Sequence, residues 1–150
     1  MEVTLPLYSG IPFRKLYLAG KESPIMRNER VLVVDDEPLV ADTLGLIFRR
    51  RGFDCQVAYS GAEAIERVRS FTPSLLLLDL NMPGMSGLDV ARALAVSHPE
   101  CRVLIMTGHY SKLPEAQEYA HGLRHPIEFA TKPVQPEALL KQASSMLAAV

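Results

Sequence analysis

The chain has 150 residues, enough for one well-buried domain and too few for two comfortable ones. Its 48% hydrophobic and 22% charged content is that of an ordinary globular domain, no apolar run is long enough to cross a membrane, and the N-terminus lacks the basic-then-apolar pattern of a secretory signal. A net charge of −1 supplies no basic field for nucleic acid, and two cysteines, Cys55 and Cys101, make no disulfide scaffold, which fits a reducing, cytoplasmic setting with both thiols as small apolar residues.

Residues 1–28 carry Pro6, Gly10, Pro12, Gly20 and Pro24 among scattered aromatics, and no strand or helix period survives these breakers. They read as a loosely ordered N-terminal extension, or as a misread start with Met26 as the natural one; residues 29–150 form the domain. Val31–Val34 is a continuous apolar strand. A helix follows from about Glu37 to Arg51, with Leu39, Val40, Thr43, Leu44, Ile47 and Phe48 as its apolar positions. Arg49, Arg50 and Arg51 suit the negative end of the helix dipole, and Gly52 stops it. Asp54–Ala58 is a short strand. Ser60 and Glu63 form a capping-box pattern ahead of a helix over Ala62–Ser70. Leu75–Leu78 is a strand, Ser86–Ser97 a helix ended by Pro99, and Arg102–Met106 a strand. A short helix falls between Pro114 and Leu123, and a strand over Glu128–Thr131. The last helix begins after Pro136, with Leu139, Leu140, Ala143, Met146 and Leu147 on one face. Five strand–helix units with uninterrupted apolar strands predict an α/β domain, a doubly wound (βα)5 five-stranded parallel sheet covered on both faces.

The first strand ends in Asp35 and Asp36, and the third in Asp79. Adjacent carboxylates at the end of a buried strand repel each other and are costly to bury unless positive charge sits beside them. Strands delivering acids at one edge of a parallel sheet therefore build a cation site, at the edge where open α/β sheets bind ligands. The fourth strand adds Thr107, and the fifth is followed by Lys132 and Pro133. Each has a plainer reading alone: a helix N-cap pair for Asp35 and Asp36, a satisfied hydroxyl for Thr107, a surface lysine for Lys132.

The segments Val33-Val34-Asp35-Asp36-Glu37-Pro38, Leu78-Asp79-Leu80-Asn81-Met82-Pro83-Gly84-Met85-Ser86-Gly87, Met106-Thr107-Gly108 and Thr131-Lys132-Pro133, in this order, resemble the receiver domain of bacterial response regulators, with its flavodoxin-like fold. The resemblance covers about Glu29 to Val150. It implies that Asp79 accepts a phosphoryl group from a phosphohistidine on a sensor histidine kinase or a histidine phosphotransfer protein. A carboxylate is a weak nucleophile, so such transfer depends on positioning and charge neutralisation. Mg²⁺ would supply the latter, with Asp36 and Asp79 as direct ligands, Asp35 acting through a bound water and the Asn81 backbone carbonyl completing the set. Lys132 would pair with the phosphoryl oxygens, aimed by a cis bond to Pro133, and Thr107 would hydrogen-bond another oxygen.

The resemblance also implies a switch. Thr107 would move toward the phosphoryl group while Phe129, lacking a tyrosine's hydroxyl, turns inward or simply stays as a core residue. The surface of the fourth helix, fifth strand and fifth helix would then change, and signalling would proceed by protein contact, without direct nucleic-acid or membrane binding and as a monomer or weak dimer. Asn81 and His109 would tune the lifetime of the phosphorylated form. The stretch from Thr107 to Lys132 departs from the family pattern in length and in its segment Tyr119-Ala120-His121-Gly122-Leu123-Arg124-His125-Pro126-Ile127. The last helix ends near the C-terminus, which points to a stand-alone receiver. Two other readings compete: a phosphorylation-independent interaction module, which would lack one of the acids or the lysine, and a small Asp-nucleophile phosphatase, which would want a carboxylate two residues after Asp79, where Asn81 stands. His98, His109, His121 and His125 have no zinc-ligand spacing with the cysteines.

Overall fold

The computed structural model describes residues 29–108, 113–120 and 125–148. The expectations for residues 1–28 and for His109 lie outside them. In chain order the elements are β1 (Arg30–Val34), α1 (Pro38–Arg50), β2 (Asp54–Ala58), α2 (Gly61–Phe71), β3 (Leu75–Asp79), α3 (Gly87–Ser97), β4 (Arg102–Thr107), α4 (Leu113–Ala120), β5 (Glu128–Thr131) and α5 (Pro136–Ala148). The strands form one parallel sheet in the order β2-β1-β3-β4-β5.

Strand side chains alternate between faces, and the helices sort accordingly. Val31, Val33, Leu75, Leu77, Leu104 and Met106 pack with α1 and α5. Leu32, Val34, Leu76, Leu78, Val103 and Ile105 pack with α2, α3 and α4. Because both faces are covered, β1 and β3 need apolar residues at every position, which is why they read as unbroken Val and Leu runs.

The stripe that α1 buries is Ala41, Leu44, Gly45 and Phe48. Leu39 is 80% exposed and Thr43 is exposed, so both are corrected from core to surface. The helix sits one step further round than the large apolar residues suggest, because two small residues carry the contact. At Gly45 an added Cβ would lie 2.8 Å from Val57 Cγ1, so α1 rests almost directly on β2.

Helix starts follow the expected chemistry with one difference. Ser60 Oγ accepts from the Glu63 N–H at 3.0 Å, but Glu63 Oε1 accepts from Tyr59 N at 2.8 Å, one residue before the cap. The full reciprocal box occurs at α3, where Ser86 Oγ accepts from Asp89 N and Asp89 Oδ2 from Ser86 N. Cys55 and Cys101 are free and buried, and burial pushes both thiols up to about 12. No described helix is long and apolar enough to cross a membrane.

Candidate functional site

Register brings the polar strand ends together. Val34 pairs with Leu78, so Asp35 and Asp79 leave β1 and β3 at the same level. Asp79 pairs with Met106, Thr107 pairs with Thr131, and the Lys132 N–H donates to the Thr107 carbonyl at 2.9 Å. Chain order around the sheet reverses between β1 and β3, and the carboxylates stand at that switch point.

Carboxylate oxygens of Asp35, Asp36 and Asp79 all lie within 4.8 Å of one another. Asp35 is fully buried, a cost that its two contacts offset. Its Oδ2 accepts from Lys132 Nζ at 2.8 Å and its Oδ1 from the Glu37 N–H at 2.9 Å. Lys132 Nζ also stands 3.5 Å from Asp79 Oδ1, which accepts from the Asn81 N–H at 3.4 Å. The Lys132–Pro133 bond is cis, as the family resemblance implies. Asn81 Nδ2 reaches the Thr107 hydroxyl oxygen at 3.5 Å, and Thr107 is buried.

Burial pushes the Asp79 carboxyl up to about 6; Lys132 opposes this, the charge of Asp35 adds to it, and the Asn81 N–H opposes it. Burial alone would lower the Lys132 ammonium, but its hydrogen bond to Asp35 and the charges of Asp79 and Asp35 outweigh that and raise it. The ammonium is therefore a fixed positive charge at neutral pH. Three carboxylates face one ammonium, and the excess negative charge suits a further cation.

A cleft of ≈ 290 Å³ opens over the site, lined by Asp36, Glu37, Asp79, Asn81, Gly108 and Lys132. The structure brings Asp35, Asp36, Asp79, Asn81, Thr107 and Lys132 together at this edge of the sheet, with Asp35 and Thr107 buried behind the cleft lining. Phe129 lies apart from the cleft. It is half-buried and packs against the core on the side of α2, α3 and α4, beside a second cleft with Gln117, Ala120, Pro126 and Ile127.

Three contributors carry little sequence signal. Glu37 sits in a motif dominated by its neighbours, yet it lines the cleft and its N–H holds Asp35. Gly108 lines the wall next to Thr107. Gly87 reads as a turn residue, but its Cβ would fall 2.3 Å from the Asp79 carbonyl oxygen, so α3 seats against the backbone of Asp79 only because a side chain is missing.

The fold and pocket define a doubly wound α/β domain with a lysine-braced cluster of carboxylates at its switch point. A family model described as the response regulator receiver domain matches residues 31–144, and the chain belongs to that family. Sporulation initiation phosphotransferase F of Bacillus subtilis (strain 168) is 36% identical over 93 residues, which are 62% of this chain and 74% of that protein. The DNA-binding response regulator MtrA of Mycolicibacterium smegmatis is 48% identical over 66 residues, 44% of this chain and 29% of that protein, so the chain spans less than a third of that relative. A solved CheY-like receiver domain protein from Methanospirillum hungatei JF-1 superposes with a TM-score of 0.72 at 23% identity, covering 80% of this chain and 94% of that one. Vibrio cholerae CheY4 gives 0.71 at 24%, covering 79% and 98%. At these identities the structural likeness concerns the fold.

Members of this family are phosphoacceptor signalling modules of two-component systems rather than conventional enzymes, and they bind Mg²⁺ in an acidic pocket. The donor set among the described residues fits that ion: three carboxylates clustered within 4.8 Å.

Proposed function

We propose that Asp79 is the phosphoacceptor of this chain, taking a phosphoryl group from a phosphohistidine on a sensor histidine kinase or a histidine phosphotransfer protein. A carboxylate oxygen of Asp79 forms the new O–P bond while the N–P bond to imidazole breaks, and the imidazole leaves with its electron pair. The Asp79 carboxylate has two polar contacts among the described residues, to Lys132 and to the Asn81 N–H, and both run to Oδ1. Oδ2 is thereby the oxygen left to attack.

Asp36, Asp79 and the Asn81 carbonyl would hold Mg²⁺, which would supply charge neutralisation for the transferring oxygens. Asp35 has one oxygen on Lys132 and the other on the Glu37 N–H, which supports an indirect role toward the ion. Lys132 meets the incoming charge with an ammonium already positioned, so little reorganisation is needed as it arrives. Thr107 would exchange its Asn81 contact for a phosphoryl oxygen. Phe129 and the surface of α4, β5 and α5 would carry the change to a protein partner.

The observation that carries this reading is the convergence of three carboxylates and one ammonium from three separate strand ends, those of β1, β3 and β5. The test is incubation with acetyl phosphate and Mg²⁺, read by intact mass. Wild type should gain one PO₃ unit, and Asp79→Ala should gain none. Equal labelling of the two proteins would place the acceptor elsewhere.

A further inference from the structure

Arg92 joins the helix seated on the phosphoacceptor to the helix that lies between the two expected switch residues. It projects from α3, and its guanidinium lies 5.1 Å from the centroid of the Tyr119 ring on α4. Its Nη2 stands 3.5 Å from Glu115 Oε2, also on α4. Glu115 and Tyr119 are four residues apart, on the same face of the helix, so a single side chain grips α4 over a full turn.

The two helices are held very differently. α3 buries Gly87, Leu88, Val90, Ala91 and Leu94, and its first residue donates its N–H to the Leu80 carbonyl at 2.9 Å, against the backbone of Asp79. α4 spans only 8 residues, buries two alanines, Ala116 and Ala120, and rests the half-buried Tyr119 against the same core. Two methyl groups and one partly buried ring anchor α4 less firmly than five buried residues anchor α3, since apolar stabilisation scales with buried area. A guanidinium over the Tyr119 face, supported by a carboxylate, therefore adds to what fixes α4. The ion pair itself is exposed and adds little, so the stacking on Tyr119 is the larger part.

We propose that Arg92 is a positioning residue: by bridging α3 to Glu115 and Tyr119 it holds α4 in the setting of the unphosphorylated domain and so restrains the reactivity of Asp79. This rests on the phosphoacceptor reading above. A contact that favours one of two states must be overcome by whatever drives the other, so removing it eases both the movement of α4 and the phosphorylation that α4 accommodates.

The experiment uses the full chain with Arg92→Ala, Arg92→Lys and Tyr119→Leu. Amide hydrogen exchange over 113–120 is followed in unphosphorylated protein, and labelling by acetyl phosphate with Mg²⁺ is followed by intact mass. Arg92→Ala should speed α4 exchange and Asp79 labelling by about 2- to 5-fold each, with Mg²⁺ affinity unchanged. Arg92→Lys keeps the charge but stacks less well and should fall between Arg92→Ala and wild type. In the Tyr119→Leu background the Arg-to-Lys difference should disappear. A merely structural role would instead lower stability and slow labelling. The proposal is overturned if Arg92→Ala leaves either α4 exchange or labelling unchanged, or slows labelling. If wild type takes no phosphoryl group at all, the phosphoacceptor reading fails, and an unchanged exchange rate would separately remove the grip on α4.

Discussion

In metal-free protein, replacing Asp79 with asparagine should stabilise the fold, and the gain should depend on pH. The folded-state pKa of Asp79 lies at about 6, above the ordinary 3.8, because burial and the neighbouring Asp35 outweigh the pull of Lys132 and the Asn81 N–H. Between those two values the native state binds a proton that the unfolded chain has lost. Its contribution is thus fully present below about pH 4 and is lost as pH rises through about 6. A displacement of this size corresponds to roughly 3 kcal/mol of native-state cost for the ionised carboxylate at pH 7.5. Asparagine keeps the shape of the protonated acid and carries no charge, so Asp79→Asn should gain much of that amount at pH 7.5 and almost nothing at pH 4. For a domain of this size the gain at pH 7.5 is a rise in Tm of roughly 10 °C. The assay is urea and thermal unfolding by circular dichroism in EDTA, for both proteins, across that pH range. Equal stability at pH 7.5, or an advantage that persists undiminished at pH 4, would refute the account of a carboxylate held at a cost.

Millimolar Mg²⁺ should raise the Tm of wild type by binding only the folded state, and Asp36→Ala should abolish most of that rise in a scanning-calorimetry titration. Lys132→Ala leaves Asp35 buried without its ammonium and should cost about 3–5 kcal/mol in metal-free urea unfolding, with Asp79 labelling by acetyl phosphate lost even where Mg²⁺ restores the fold. Gly87→Ala places a methyl group against the Asp79 backbone and should cost about 1–3 kcal/mol, measured by urea unfolding, while slowing Asp79 labelling more than a surface substitution of equal cost.

What was legible in the sequence follows from which interactions are local. β1 and β3 show themselves because a doubly covered strand needs apolar residues throughout, and the starts of α2 and α3 because a cap is a contact between residues three apart. The acids, Thr107 and Lys132 are legible as types at strand ends, and the parallel register then requires them to meet. The face of α1 was misjudged because it is set by what the helix meets. Leu39 is a large apolar residue with nothing over it, whereas Ala41 and Gly45 are small because β2 lies so near. Glu37 was passed over for a related reason: its contribution to Asp35 is a backbone N–H, which any residue type would provide.

On the phosphoacceptor reading proposed above, the charge balance of the pocket lets one site both bind a cation and receive an anion. Lys132 lies closer to Asp35 than to Asp79, 2.8 Å against 3.5 Å, and Asp35 has no exposed surface. The ammonium is thus pinned by a buried acid that takes no part in bond formation, which keeps it beside Asp79 without fully neutralising it. Had the shorter contact gone to Asp79, the nucleophile would be masked by a tight ion pair. Had Asp35 been absent, the ammonium would bear on Asp79 alone and the pocket would lose much of its attraction for a metal. The arrangement leaves Asp79 partly compensated, with a pKa of about 6, so that near neutral pH the carboxylate is ionised at a cost that an arriving cation relieves. An added PO₃ group then brings negative charge to a place where the ammonium already stands. On that reading the buried Asp35 is the residue that would let Lys132 serve the phosphorylated state without silencing the free one.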